Sequence, residues 1–119
     1  MDSLIYAQRN EKQTVPSADT INLGTVEKQI GDHIQLQDGS AYLTGSGLFA
    51  IDVALKVHSI EAVTISIFIN GKPFRSRTDS GEVAITALYY KESENVAEVC
   101  VKTSGRTDIS KESIMIVKF

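Results

Sequence analysis

The sequence predicts an all-β domain, an antiparallel jelly-roll sandwich, on three observations. Apolar residues recur with period two, Asn-Gly and Asp-Gly pairs punctuate the alternation, and no stretch sustains the i, i+3, i+4, i+7 pattern of a helix. The alternation is clearest in mid-chain. Phe49, Ile51, Val53, Leu55 and Val57 fall on one side of an extended segment, with Ala50, Asp52, Ala54 and Lys56 on the other. Val63, Ile65, Ile67 and Ile69 follow, then Val83, Ile85, Ala87 and Tyr89, then Ala97, Val99 and Val101, and finally Met115, Val117 and Phe119. Branched and aromatic side chains suit a pleated, half-buried surface, so residue type and period agree.

The turns fall between these runs. Asn70-Gly71 and Asp38-Gly39 tolerate the φ > 0 that both central positions of a type I′ hairpin turn require. Gly45-Ser46-Gly47, Asp79-Ser80-Gly81 and Ser104-Gly105 mark further breaks. Strands are therefore predicted at about 4–8, 20–27, 32–37, 41–44, 48–58, 62–70, 82–90, 95–103 and 113–119. Arg9–Thr20, polar and containing Pro16, reads as a loop or arm, and residues 1–119 as one domain. Arg75-Ser76-Arg77 then lies in a loop and offers, through Arg75 and Arg77, a basic contact surface.

The last strand is apolar on both faces, Ile114 and Ile116 on one and Met115, Val117 and Phe119 on the other. A strand of a two-layer sandwich needs only one dry face. A second dry face calls for a further cover, either a neighbouring subunit or the N-terminal arm. Leu48, Ala50 and Ala54 of the 48–58 strand are also small or apolar on their second face. With Cys100, Ile114 and Ile116 they form the predicted subunit interface.

Composition sets limits on function. An apolar share of 42% with 23% charged residues is that of a globular chain able to build a core. The net charge of −3 argues against nucleic acid, which needs a concentrated positive field. One cysteine, Cys100, excludes an internal disulfide framework. No apolar run is long enough to span a bilayer, and the opening residues lack a signal-peptide pattern. The expectation is a chain made in the cytosol without a membrane partner, and kept there or assembled into a particle.

Catalysis finds little to work with. His33 and His58 are the candidate imidazole bases, and each reads as a surface residue. There is no Gly-x-Ser-x-Gly elbow. Gly45-Ser46-Gly47-Leu48-Phe49-Ala50 fits the dinucleotide fingerprint formally, but it opens a strand and gives a phosphate no helix terminus. Asp38, Asp79 and Asp108 sit in separate turns without calcium-loop spacing. Asp52 and Glu98 could pair across two strands, though neighbouring Lys56 and Lys102 offer them simpler partners. The expectation is a non-enzyme without cofactor or metal.

The order of these features resembles the jelly roll of tumour-necrosis-factor-like proteins and complement globular heads. Gly47-Leu48-Phe49-Ala50-Ile51 matches the lead-in to the third main strand of that family, and Ile65–Gly71 matches the next strand with its Asn-Gly turn. Val83–Tyr90, Val96–Thr103 and Ser113–Phe119 follow in the family's order, so the resemblance covers nearly the whole chain. Leu4–Asn10 and Ile21–Val26 resemble the opening of short phage and prophage proteins of this type. The resemblance implies a homotrimer with inner sheets packed about a three-fold axis. It further implies a virion role as fibre tip, capsid decoration or accessory protein, binding virion proteins or a host-surface glycan or protein. The absence of a collagen-like or membrane stalk favours that role over signalling. The alternative is a stand-alone carbohydrate- or ligand-binding β-sandwich module. An immunoglobulin-like domain would bring a core tryptophan, which the chain lacks.

Overall fold

A computed structural model describes residues 1–119 and contains eleven strands and no helix. They are β1 (Ser3–Arg9), β2 (Gln13–Val15), β3 (Thr25–Ile30), β4 (Ile34–Gln37), β5 (Ser40–Leu43), β6 (Gly47–His58), β7 (Val63–Ile69), β8 (Lys72–Asp79), β9 (Gly81–Lys91), β10 (Ala97–Thr103) and β11 (Thr107–Lys118). The first sheet has the order β3-β1-β11-β6-β9, with β2 also on β11, and the second has the order β4-β5-β10-β7-β8. Neighbours pair antiparallel throughout. The final strand therefore sits at the centre of the first sheet, between β1 and β6.

The period-two pattern sorts the side chains. Phe49, Ile51, Val53, Leu55 and Val57 face the interior and join 20 other buried apolar residues in one cluster of 25. Ile65, Ile67, Val83, Ile85, Val99 and Val101 meet them from the other strands. Ile114 and Ile116 belong to this cluster too, at 1% and 0% exposure, which corrects their assignment to a subunit interface. Their parity is shared by Glu112 and Lys118, and two charged residues suggest an outward side. In the fold both charges turn inward, where Glu112 meets Gln13 and Lys118 binds Asp2 at 2.9 Å.

Four elements depart from the predicted spans: β2 lies within the predicted arm, β11 begins at Thr107 rather than near 113, and β8 and β3 differ as follows. The Arg75 and Arg77 segment is not a loop but the edge strand β8, whose sequence carries no apolar period. Pairing with β7 makes it a strand, reinforced by hydroxyl contacts of 2.7 Å at Thr64–Thr78 and Ser66–Ser76. Pro73 is admissible there because an edge strand has one side free of ladder bonds. The strand predicted near 20–27 lies instead at Thr25–Ile30, and Thr20 makes only a lone bridge to Lys102.

Residues 10–24 form a strap across one open side of the sandwich. Within it β2 continues the pairing to β11 where β1 ends, covering Thr107–Ile109. Further on, the Ala18 and Ile21 amides donate to Thr103 and Val101 of β10, at 3.0 and 2.8 Å. Its own Val15, Ile21 and Leu23 turn inward and are buried in the core cluster, which is why this polar segment holds its place.

The hairpin between β7 and β8 turns on Asn70 (φ 52) and Gly71 (φ 78), both left-handed as a type I′ turn demands. Asn70 is tied twice to Glu98, amide to carbonyl at 2.8 Å and Oδ1 to amide at 2.9 Å. A Cβ at Gly71 would meet nothing within 4 Å, so the cost of a side chain there is backbone strain alone. Gly71→Val should therefore destabilise by roughly 1–3 kcal/mol, read as a lower melting temperature. An unchanged melting temperature would show that the turn tolerates a β-branched residue at φ > 0.

Candidate subunit interface

The outer face of the first sheet collects apolar side chains from five strands. Register aligns Ile30, Leu4, Val117, Ala50 and Leu88 in one row across β3, β1, β11, β6 and β9. A shorter row lies above it, where the Phe119 amide donates to Leu48 and Leu48 faces Tyr90. The row below holds Tyr6, Met115, Asp52 and Thr86. Leu88, Tyr90 and Phe119 are 58%, 66% and 61% exposed, so large apolar side chains stand in water at one end of this face.

The face changes character along the strands. Below the Asp52 row lie Ala54, Ala84 and Ser113, small enough to leave hollows of about 240 Å³ and about 390 Å³. Lys56, Glu82 and Lys111 line the larger one and close the face with charge. The one acid in the middle, Asp52, accepts from the Thr86 hydroxyl at 2.9 Å. An apolar end with protruding rings and a hollowed end with charges are complementary features on a single surface.

Of the residues assigned to an interface from sequence, Leu48, Ala50 and Ala54 lie together on this outer face. Cys100 does not, which is a second correction. It sits on β10 in the other sheet, opposite Phe68, and is buried. Burial raises its thiol pKa, with Glu98 adding and Lys102 and Thr20 opposing, so the thiol stays protonated and inert. Leu4, Tyr6, Leu88, Tyr90, Met115 and Val117 were missed. Met115 and Val117 carried a signal, being the other apolar face of the last strand. The rest become neighbours only once the register of distant strands is known.

Arg75 and Arg77 are engaged locally. Arg75 lies 4.5 Å over the Phe74 ring and donates to the Phe74 carbonyl, while Arg77 donates to Ala84 and pairs with Asp79 at 3.3 Å. His33 contacts Thr44 at 3.2 Å through Nδ1 and stands 3.8 Å from Asp2. His58 Nε2 lies 2.7 Å from Ser110 Oγ, a Ser–His contact without an orienting acid. Asp108, the nearest carboxylate in register, is taken by the Thr14 hydroxyl at 2.6 Å, which holds its pKa below the ordinary range. Asp52 and Glu98 stand in different sheets, and Glu98 accepts from Tyr42. No three His, Cys, Asp or Glu side chains are grouped to hold a metal ion.

This strand order and pairing define a TNF-like jelly roll. No protein-family model and no curated protein matches the sequence. Solved structures match the fold over its whole length. The PRD1 vertex protein P5 superposes with a TM-score of 0.75 at 14% identity, covering 98% of this chain and 96% of that one. The globular domain of the zebrafish complement 1qA protein gives 0.74 at 12% identity, covering 99% and 98%. Murine APRIL gives 0.72 at 9% identity, covering 100% of both chains.

Proposed function

We propose that the chain is a non-enzymatic structural or binding protein that works as a homotrimer, with the outer face of the first sheet turned to its neighbours about a three-fold axis. The observation that carries this reading is the row Ile30–Leu4–Val117–Ala50–Leu88, continuous across all five strands with Phe119, Leu48 and Tyr90 above it. Apolar area of this kind is stabilising only when removed from water, by about 25 cal/mol for each Å². Because the apolar and hollowed ends differ, the fitting contact is heterologous, and heterologous contacts that close make rings rather than isologous dimers. The TNF-like resemblance makes a three-membered ring the natural closure. The likeness to a phage vertex protein supports placing the trimer on a phage or prophage particle, as fibre tip, decoration or accessory protein.

A ligand-binding module is the second reading, and one cleft favours it. Asn70, Tyr89, Tyr90, Ser93 and Asn95 line a hollow of about 390 Å³ beside the β9–β10 loop. Tyrosine rings with amide and hydroxyl groups are the chemistry that grips a sugar. Light scattering on the purified chain at micromolar concentration tests the trimer, with an expected mass about three times the 13.0 kDa of one chain. A monomer at every concentration would overturn it. Mass spectrometry of particles induced from the encoding host tests the virion role, and absence of the chain from them would remove that role.

A further inference from the structure

The strap is pinned through one buried carboxylate. Glu112 lies on β11 beside the register shift between Ile109 and Lys111, with its side chain 1% exposed. Gln13 of β2 donates from Nε2 to Glu112 Oε2. The same amide group grips the far limb of the strap, donating to the Asn22 carbonyl at 3.1 Å and accepting from the Asn22 amide at 3.2 Å. One side chain thus joins both limbs of the strap to Glu112.

The rest of the site is incomplete. Glu112 Oε1 is buried without a hydrogen-bond partner, and so is Nε of Arg9, the residue opposite it on β1. Arg9 directs Nη2 to Glu11, at 3.6 Å. Around Glu112, β1 presents the charge of Arg9, the strap presents the neutral amide of Gln13, and β6 presents Leu55. Lys56 and Lys111 line the hollow on the sheet's outer face. An ionised Glu112 would keep one oxygen without a donor in a dry site, facing a single countercharge shared with Glu11. A neutral carboxyl there costs less, because desolvation penalises the charged form.

We propose that Glu112 is a proton-binding site that governs the strap: protonated, it holds residues 13–22 against β11 and β10, and ionised, it releases them. Burial pushes its pKa from the ordinary 4.5 up to about 7, with Arg9 and the Gln13 hydrogen bond pulling the other way. When the strap opens, the carboxyl meets water and returns toward 4.5. The closed state then binds more protons than the open state between these two values. Closure is strongest below the lower pKa, weakens as pH rises through the interval, and levels off above the higher one. Opening uncovers Val15, Ile21 and Leu23, apolar surface that the closed strap hides.

Hydrogen exchange read by mass spectrometry on the intact chain, at fixed concentration and corrected for intrinsic exchange, tests this. Opening of the 13–22 segment should rise roughly 100-fold between about pH 5 and about pH 9, while β6 and β10 stay protected. Glu112→Gln, a neutral isostere that keeps an acceptor for Gln13, should hold the segment at one level throughout. A wild-type segment whose corrected opening ignores pH would overturn the proposal, even if the variant fails to fold. So would a rise shared equally by β6 and β10, which would place the effect in global unfolding. A variant that follows the same pH course as wild type would assign the titration to another group.

Discussion

Ile116→Asp is expected to leave the chain unfolded or insoluble, while Val117→Asp leaves it folded and unable to associate. The two positions are adjacent on β11, so propensity and chain context are nearly constant and only the face differs. Ile116 is fully buried in the sandwich, opposite Ile5 on β1 and Ile51 on β6. Aspartate there forfeits about 2–5 kcal/mol of burial and packing, as a large-to-small core change does, and adds a carboxylate with no partner. The sum approaches the ~5–15 kcal/mol that holds a domain of this kind together. Val117 points outward, between Leu4 and Ala50. Aspartate there costs an isolated chain little, but in the proposed trimer it would put a charge into each dry contact. Circular dichroism and light scattering on both variants check the pair. A folded Ile116→Asp chain would contradict the core assignment, and an intact Val117→Asp trimer would remove the outer face from the assembly.

The contrast between those neighbours shows where the sequence was legible. The faces of β6, β7 and β9 followed from alternation because polar residues mark one parity in each, as with Asp52 and Lys56 against Val53 and Leu55, or Thr86 against Ile85. In β11 both parities are apolar, and the charges that break the tie are misleading. Glu112 and Lys118 share the parity of the core because each finds a polar partner inside, Gln13 for one and Asp2 for the other. Those partners lie 99 and 116 residues away in the chain, a distance no local pattern spans.

The same reasoning accounts for β8 and the strap. KPFRSRTD has no period to read, and it is a strand because β7 offers it a ladder and Phe74 packs edge-on to Tyr89, 5.6 Å between centroids. Arg9–Thr20 looked like an arm because its anchors are few, with Val15 the main apolar one. The candidate interface was legible only in part, through Leu48, Ala50 and Ala54. Its most exposed members, Leu88, Tyr90 and Phe119, belong to an edge strand and the last residue, whose meeting depends on sheet order.

Gly24→Ala should be among the most damaging changes available to this chain, although it adds only a methyl group. Gly24 stands at φ 90, where the chain leaves the strap and enters β3. A Cβ built there would lie 2.3 Å from the Gln8 carbonyl oxygen, 2.4 Å from its carbon and 2.8 Å from the Arg9 nitrogen. All three are backbone atoms of β1, a strand paired on both sides, so no side chain can swing away to make room. Relief would require β3 to move off β1, or the far limb of the strap to shift and break the bonds between Asn22 and Gln13. Steric overlap in a packed site costs about 1–3 kcal/mol, and a non-glycine residue at unfavourable φ adds about 1–3 kcal/mol. Together they predict a loss of roughly 2–6 kcal/mol, reaching the upper end for a single substitution. Urea unfolding at fixed pH measures it, through a lower midpoint at unchanged slope. A loss no greater than that of Gly71→Val would show that β1 and β3 can separate locally, and that the close approach at Gly24 does not hold the edge of the sheet.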